Sequence, residues 1–248
     1  MTRLPIALLS PDPGAPFPPV QQALREPDGL LAAGGDLTPV RLLNAYRNGI
    51  FPWSGEGQPL LWWSPDPRMV FATESFSLAS RFRRQLRNCD WRLRSDTAFD
   101  QVIRACSSLP RPGQDGTWIT SEMIVAYNEL HRLGHAHSIE VFSGAQLVGG
   151  IYGVAIGRMF FGESMFSAQS GGSKVALAGL CRLLSGWGWP MIDAQVENPH
   201  LLSLGARHIP RAQFMRLVGE LVELPGRNGP WSRHVPDWSA SALAMPPD

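Results

Sequence analysis

The segments HSIEVFSG (137–144), AQLVGGIYGVAIG (145–157) and RMFFGESMFS (158–167) follow one another without a break. Each is rich in branched and aromatic residues, and short glycine-containing turns separate them, which predicts three strands in an antiparallel meander. After the meander, Ser173 opens an apolar helix, KVALAGLCRLLSGWG, and a strand, WPMIDAQVE, follows it. Asn198 then caps, and Pro199 starts, a short helix that stops at Gly205. Upstream, helices are expected in SLASRFRRQLRN (77–88), from Thr97 to about Ser107, and from Thr120 through SEMIVAYNELHRLG. The first 70 residues are rich in Pro, Gly and Trp and hold one clear helix, VRLLNAYRNG, with Asp36 and Thr38 as caps and Pro39 in its first turn. The fold class is α+β: a small N-terminal α/β cap domain (1–70) and a larger α/β domain (71–248). The final SALAMPPD is expected to fray.

At 248 residues and 44% hydrophobic, the chain suits one large or two small domains with a real core. No apolar run approaches the ~20 residues of a membrane span, and the start MTRLPIALLSPDP is too short in apolar residues for a secretory signal, so a cytoplasmic protein is expected. Cys89, Cys106 and Cys181 are too few and scattered for a disulfide framework or a metal site. The net charge of +1 excludes a globally basic coat, so contact with RNA would need a local patch. One lies in RFRRQLRNCDWRLR (81–94), where Arg81, Arg83, Arg84, Arg87, Arg92 and Arg94 face only Asp90. The run reads either as a solvated helix face or as a seat for a phosphate backbone.

Two polar intrusions stand out in apolar strands. In MIDAQVE, alternation puts Asp193 and Gln195 on one face and Ile192, Ala194 and Val196 on the other. Burying that carboxylate and amide demands a partner or a use, so they read as a structural pair or a reactive one. In RMFFGESMFS, Glu163 shares a face with Phe161 and Met165, while Phe160, Ser164 and Phe166 take the other. Its partner would be an internal Arg or the ammonium of a bound amino acid. His131, His135 and His137 lack a third convincing ligand, and Gly134 interrupts their helix, so no metal is assigned. GGSK (171–174) lacks the G-K-[ST] order of a phosphate loop, and no G-x-S-x-G elbow occurs.

The order of meander, helix, strand and a helix reading NPHLLSLGA is similar to the acetyltransferase-like (GNAT-like) α/β fold. A more specific resemblance rests on seven blocks in register: LREPDGLLAAGGDLTP, AYRNGIFPW, LLWWSPDPR, TWIT, LGHAHSIEV, FGESMFS and IDAQVEN. Together they resemble the leucyl/phenylalanyl-tRNA–protein transferases. That resemblance implies transfer of Leu, Phe or, less well, Met from aminoacyl-tRNA to acceptor proteins with N-terminal Arg or Lys, which marks them for N-degron-dependent degradation. It implies Asp193 and Gln195 as the catalytic pair and Glu163 as the holder of the ester's amino group. Phe160, Met165 and Ile151 would line the side-chain pocket, and Tyr46, Trp53 and Trp118 would support the terminal adenosine. Arg81, Arg83, Arg84 and Arg87 would hold tRNA. Ile151 stands where some relatives have Met, which leaves the Leu-versus-Phe preference open.

An aminoacyl ester is already activated, so no cofactor and no metal is expected, and the enzyme would act as a monomer. Two other readings compete. An acetyl-CoA-dependent N-acetyltransferase would need a small residue where Gln169–Ser170–Gly171–Gly172–Ser173 runs into Lys174. An RNA- or peptide-binding module would use the Trp-rich cap and the Arg run but leave Asp193 and Gln195 idle.

Overall fold

A computed structural model describes residues 6–55, 57–109, 118–227 and 229–245. The N-terminal part builds a small sheet in the order β1-β2-β4-β3 from β1 (Ala7–Leu8), β2 (Leu30–Ala33), β3 (Phe51–Pro52) and β4 (Leu61–Trp63). Helix α1 (Pro39–Arg47) lies between β2 and β3 in the chain. Its start follows from local chemistry: Thr38 Oγ1 accepts from the Arg41 amide, and Asp36 accepts from the Thr38 amide. Arg41 is fully buried, and its Nη2 donates to the Ser10 and Asp12 carbonyls, tying the first segment down.

The large sheet has eight strands in the order β11-β5-β10-β9-β8-β7-β6-β12. They are β5 (Arg68–Ala72), β6 (Arg92–Ser95), β7 (Ala136–Ser143), β8 (Gln146–Ile156), β9 (Met159–Ser167), β10 (Met191–Gln195), β11 (Arg207–Ile209) and β12 (Trp238–Ser239). The β7–β8–β9 meander is antiparallel as expected, whereas β10 joins β9 in parallel. Strand β5 starts at Arg68 and belongs to this sheet, so a boundary after residue 70 falls inside it.

The helices are α2 (Ser80–Leu86), α3 (Phe99–Ser108), α4 (Ser121–Arg132), α5 (Gly172–Gly186), α6 (Pro199–Ser203) and α7 (Arg211–Leu221). Thr120 caps α4 and Asn198 caps α6 through side-chain oxygens. Helices α3 and α4 share one core with Leu42, Tyr46, Phe51 and Trp62 of the N-terminal part. Helix α5 fills the other face with Val175, Leu177, Leu180 and Leu184. Its first turn lies directly on β8: a Cβ added at Gly149 would come within 2.4 Å of the Gly172 backbone.

Three expectations change. The Arg run is not one helix, because Arg92 and Arg94 lie on β6 and bind Asp237. The chain end is ordered through residue 245, with a 3-10 turn at Ala240–Ala244, while 246–248 lie outside the described residues. Strict alternation also fails twice. Tyr152 pairs with Ser164 and Gly153 with Gly162, which leaves Glu163 as an extra residue in β9. The bulge reverses the faces, so Phe161 and Phe166 share one core and Phe160 and Met165 the other. In β10 a second irregularity between Asp193 and Gln195 puts Ile192 and Ala194 with one core and Val196 with the other.

Candidate active site

Both bulges lie where β9 and β10 run side by side, and beside them a cleft of about 230 Å³ opens. Ile151, Met165, Phe71, Leu177 and Ile192 give it apolar walls, and Trp53 and Trp118 stand among its lining residues. Glu163 and Gln195, 8% and 7% exposed, supply polar groups at its floor.

Glu163 sits in a cage of donors. Tyr46 Oη and Gln195 Nε2 each donate to Oε1 at 2.7 Å, and Tyr127 Oη donates to Oε2 at 2.9 Å. Burial pushes its carboxyl up to about 7, against the opposing pull of those three hydrogen bonds, and the negative charge of Asp193 adds to the rise. The two tyrosines are held well above the ordinary phenol range, first by burial and then by the Glu163 charge, so they remain donors.

Asp193 is fully buried and forms a bidentate pair with Arg68, Nε to Oδ1 at 2.8 Å and Nη2 to Oδ2 at 2.7 Å. The guanidinium lies between the Phe51 and Phe214 rings, 4.7 and 4.6 Å from their centroids. Asp193 Oδ1 also accepts from the Gln195 backbone amide at 2.9 Å. That bond holds Gln195 at φ +62°, a left-handed conformation that few non-glycine residues adopt. The side-chain amide of Gln195 must turn its NH2 toward the Glu163 carboxylate, so its Oε1 is the atom left to accept a bond from an incoming group.

The family model for leucyl/phenylalanyl-tRNA protein transferase matches residues 70–219, and that for its N-terminal domain matches 35–66. A leucyl/phenylalanyl-tRNA–protein transferase of Xanthomonas campestris pv. campestris (strain B100) is 66% identical over 244 residues, covering 98% of each chain. One of Xylella fastidiosa (strain 9a5c) is 62% identical over 225 residues, 91% of this chain and 93% of the other. The chain belongs to the leucyl/phenylalanyl-tRNA–protein transferase family. Among solved structures, L-PGS from Bacillus licheniformis overlaps at a TM-score of 0.37 with 9% identity, covering 68% of this chain and 53% of that one, a likeness too distant to carry an argument.

Within this transferase family member the structure gathers Asp193, Gln195, Glu163, Met165, Ile151, Trp53 and Trp118 around one cleft. Two expected residues stand elsewhere. Phe160 is 1% exposed and packs against Trp231 in the α5-side core, outside the cleft lining that Met165 joins. Tyr46 is completely buried with its hydroxyl on Glu163, which leaves no ring face for an adenine to stack on. Glu163 meets tyrosines and an amide, whereas the internal Arg suggested as one partner pairs with Asp193. Arg81, Arg84 and Arg87 are exposed on or beside α2, away from the cleft lining, and Arg83 is half-buried. His131 is stacked on Phe99 and bonds the Ala136 carbonyl, and His137 bonds Asp96 and stacks on Trp231. The sequence reading missed Arg68 and Tyr127. A charge opening the apolar strand RMVFA was a signal for the first, while nothing local announced the second.

Proposed function

We propose that the cleft transfers Leu or Phe, and less well Met, from aminoacyl-tRNA to the N-terminal Arg or Lys of acceptor proteins. The observation that carries this reading is Glu163, a caged carboxylate at the floor of an apolar pocket with the Gln195 amide directly beside it. The ester's ammonium binds at Glu163, and its apolar side chain lies against Ile151, Met165 and Leu177. Trp53 and Trp118 take the terminal adenosine, for which stacking contributes roughly 1–3 kcal/mol per base.

The incoming α-amine donates one N–H to Gln195 Oε1 and attacks the ester carbonyl. The new C–N bond forms, the C–O bond to the ribose breaks, and the amine proton ends on the released ribose oxygen. An amide is a weak base, so Gln195 aligns the amine more than it deprotonates it. With an α-amino pKa of roughly 7.7–8.0, a fair fraction of acceptor is already neutral near pH 7. Orientation of two bound reactants supplies much of the rate, and no ATP enters the balance. Asp193 contributes through the Gln195 backbone rather than by touching the reactants.

Arg81, Arg83, Arg84 and Arg87 hold the tRNA backbone. The strand and helix order supports an acetyltransferase-like fold for the larger domain, with the division from the cap near residue 67, where β5 is about to begin. The protein acts as a cytoplasmic monomer, and its products enter N-degron-dependent degradation. Among the described residues no helix is long and apolar enough to cross a membrane.

Mass spectrometry of otherwise identical peptides beginning with Arg, Lys or Ala, each incubated with Leu-tRNA and the protein, tests the acceptor rule. A mass gain of one leucyl residue on the Arg and Lys peptides alone is expected. Equal gain on the Ala peptide would overturn the rule.

A further inference from the structure

An amine that attacks an ester gains positive charge on nitrogen as the C–N bond forms, so a proton must leave that nitrogen before the product is an amide. Among the described residues, three titratable side chains line the cleft: Glu163, Asp193 and His200. Two of them are committed. Glu163 accepts from Tyr46, Tyr127 and Gln195, and in the proposed function it holds the ester's ammonium. Asp193 is fully buried and closed off by the Arg68 guanidinium and the Gln195 backbone amide. Gln195 offers an amide oxygen, which accepts a hydrogen bond but is too weak a base to keep a proton.

His200 is uncommitted. It stands second in α6, five residues after Gln195, and the turn between β10 and α6 brings Val196, Asn198, His200 and Leu201 onto the cleft. Asn198 Oδ1 accepts from the His200 backbone amide at 2.8 Å, which fixes the main chain. The residue is exposed, and its ring makes no hydrogen bond, ion pair or ring contact among the described residues. Other histidines are engaged: His208 pairs with Glu197 at 3.1 Å, and His131 and His137 bond the Ala136 carbonyl and Asp96. Partial burial at the cleft wall, and then the positive charge of Lys174 in the first turn of α5, hold the His200 imidazole below the usual histidine range. Near pH 7 the ring is therefore neutral and able to accept, and once protonated it gives the proton up readily. We propose that His200 is the proton carrier of the transfer, taking a proton from the attacking amine and returning one to the departing ribose oxygen, an inference that rests on the transferase reading. The step balances: C–N forms, C–O breaks, an N–H proton moves to the imidazole, and the imidazolium delivers a proton to the ribose oxygen. The ring ends neutral, as it began.

The test is single-turnover transfer from Leu-tRNA to an Arg-initiated peptide by the full chain, near neutral pH, with wild type, His200→Ala and His200→Asn. The ring is exposed and its backbone bond to Asn198 survives substitution, so both variants should fold. His200→Ala is expected to slow transfer about 100-fold or more with Leu-tRNA binding unchanged. His200→Asn, which keeps a polar group but cannot carry a proton, should be as slow. Because the cleft is open at this side chain, imidazole added to the buffer should restore the His200→Ala rate in proportion to its neutral form, and should not restore Gln195→Ala. A wild-type rate in folded His200→Ala would overturn the proposal. So would a wild-type rate in His200→Asn, since the ring would then serve as a hydrogen-bonding group alone. A slow His200→Ala that imidazole leaves unrestored would also overturn it, by assigning the ring to structure. No transfer by the wild type from intact Leu-tRNA would sink the transferase reading itself, and the proposal with it.

Discussion

At the residue scale, three polar side chains in apolar strands were legible from the sequence because a buried Glu, Asp or Gln always asks for a partner. Their partners were not. Arg68 meets Asp193 across 125 residues, and Tyr46 meets Glu163 across 117, so no local pattern links them. The Arg68–Asp193 pair makes a sharp prediction. Asp193→Ala strands a buried guanidinium and should cost roughly 3–5 kcal/mol of stability, measured by urea unfolding. Replacing both partners, Arg68→Met with Asp193→Leu, should recover most of that stability but not transfer, because the Gln195 amide loses its anchor. Recovery of transfer by the double variant would mean that Asp193 serves the fold alone. Glu163 carries the pH dependence. A carboxyl raised to about 7 contributes stability below its unfolded value near 4.5, and that contribution is lost as pH rises through 7. Glu140 is raised to the same value by burial and acts in the same sense. Glu163→Gln should therefore reduce the fall in Tm between pH 5 and pH 8 and leave the share due to Glu140. Under the proposed function the sign reverses in catalysis, because only the ionised form would bind the ester's ammonium. The kcat/KM for Leu-tRNA should fall more steeply as pH drops below 7 in the wild type than in Glu163→Gln, which keeps the fall due to protonation of the acceptor α-amine.

At the element scale, the meander, the caps at Thr38, Thr120 and Asn198, and the helix after Ser173 followed from spacing and capping chemistry. What alternation could not foresee were the two bulges, since a period of two assumes one residue per paired position. Those bulges make the site: Glu163 is the inserted residue of β9, and Gln195 follows the irregularity in β10. The short strands β4, β5 and β6 were hidden for another reason, because prolines and a run of arginines mask so few residues of pattern. Helix α5 on β8 is the element contact most open to test. Gly149→Ala puts a methyl group against the Gly172 backbone, with no flexible side chain to yield. The expected loss is about 1–3 kcal/mol in urea unfolding, with reduced transfer through movement of Leu177 in the cleft. A variant as stable as the wild type would show that α5 can lift from the sheet without cost.

At the scale of the whole molecule, the small N-terminal sheet and the large sheet share one core, so the cap is a wall of the cleft rather than a separate module. Phe51 stacks on Arg68, and Phe51, Pro52 and the following Trp53 line the cleft, so strand β3 reaches both the buried ion pair and the cleft. Composition had excluded a globally basic surface, and the structure leaves the positive charge of Arg81, Arg84 and Arg87 concentrated around α2. Replacing those three by Gln should lower the salt slope of tRNA binding by roughly 2–3, with kcat at saturating tRNA unchanged. An unaltered slope would make that face merely solvated. In the proposed function the cleft joins an aminoacyl ester to an amine through Gln195 and Glu163. It is tested most directly by single-turnover incubation of radiolabelled Leu-tRNA with an Arg-initiated peptide, without ATP, using wild-type protein and Gln195→Ala. Label on the peptide is expected with the wild type, and transfer slowed about 100-fold or more in Gln195→Ala at undiminished Leu-tRNA binding. No label with folded wild-type protein and intact Leu-tRNA, or equal rates in the two proteins, would contradict it.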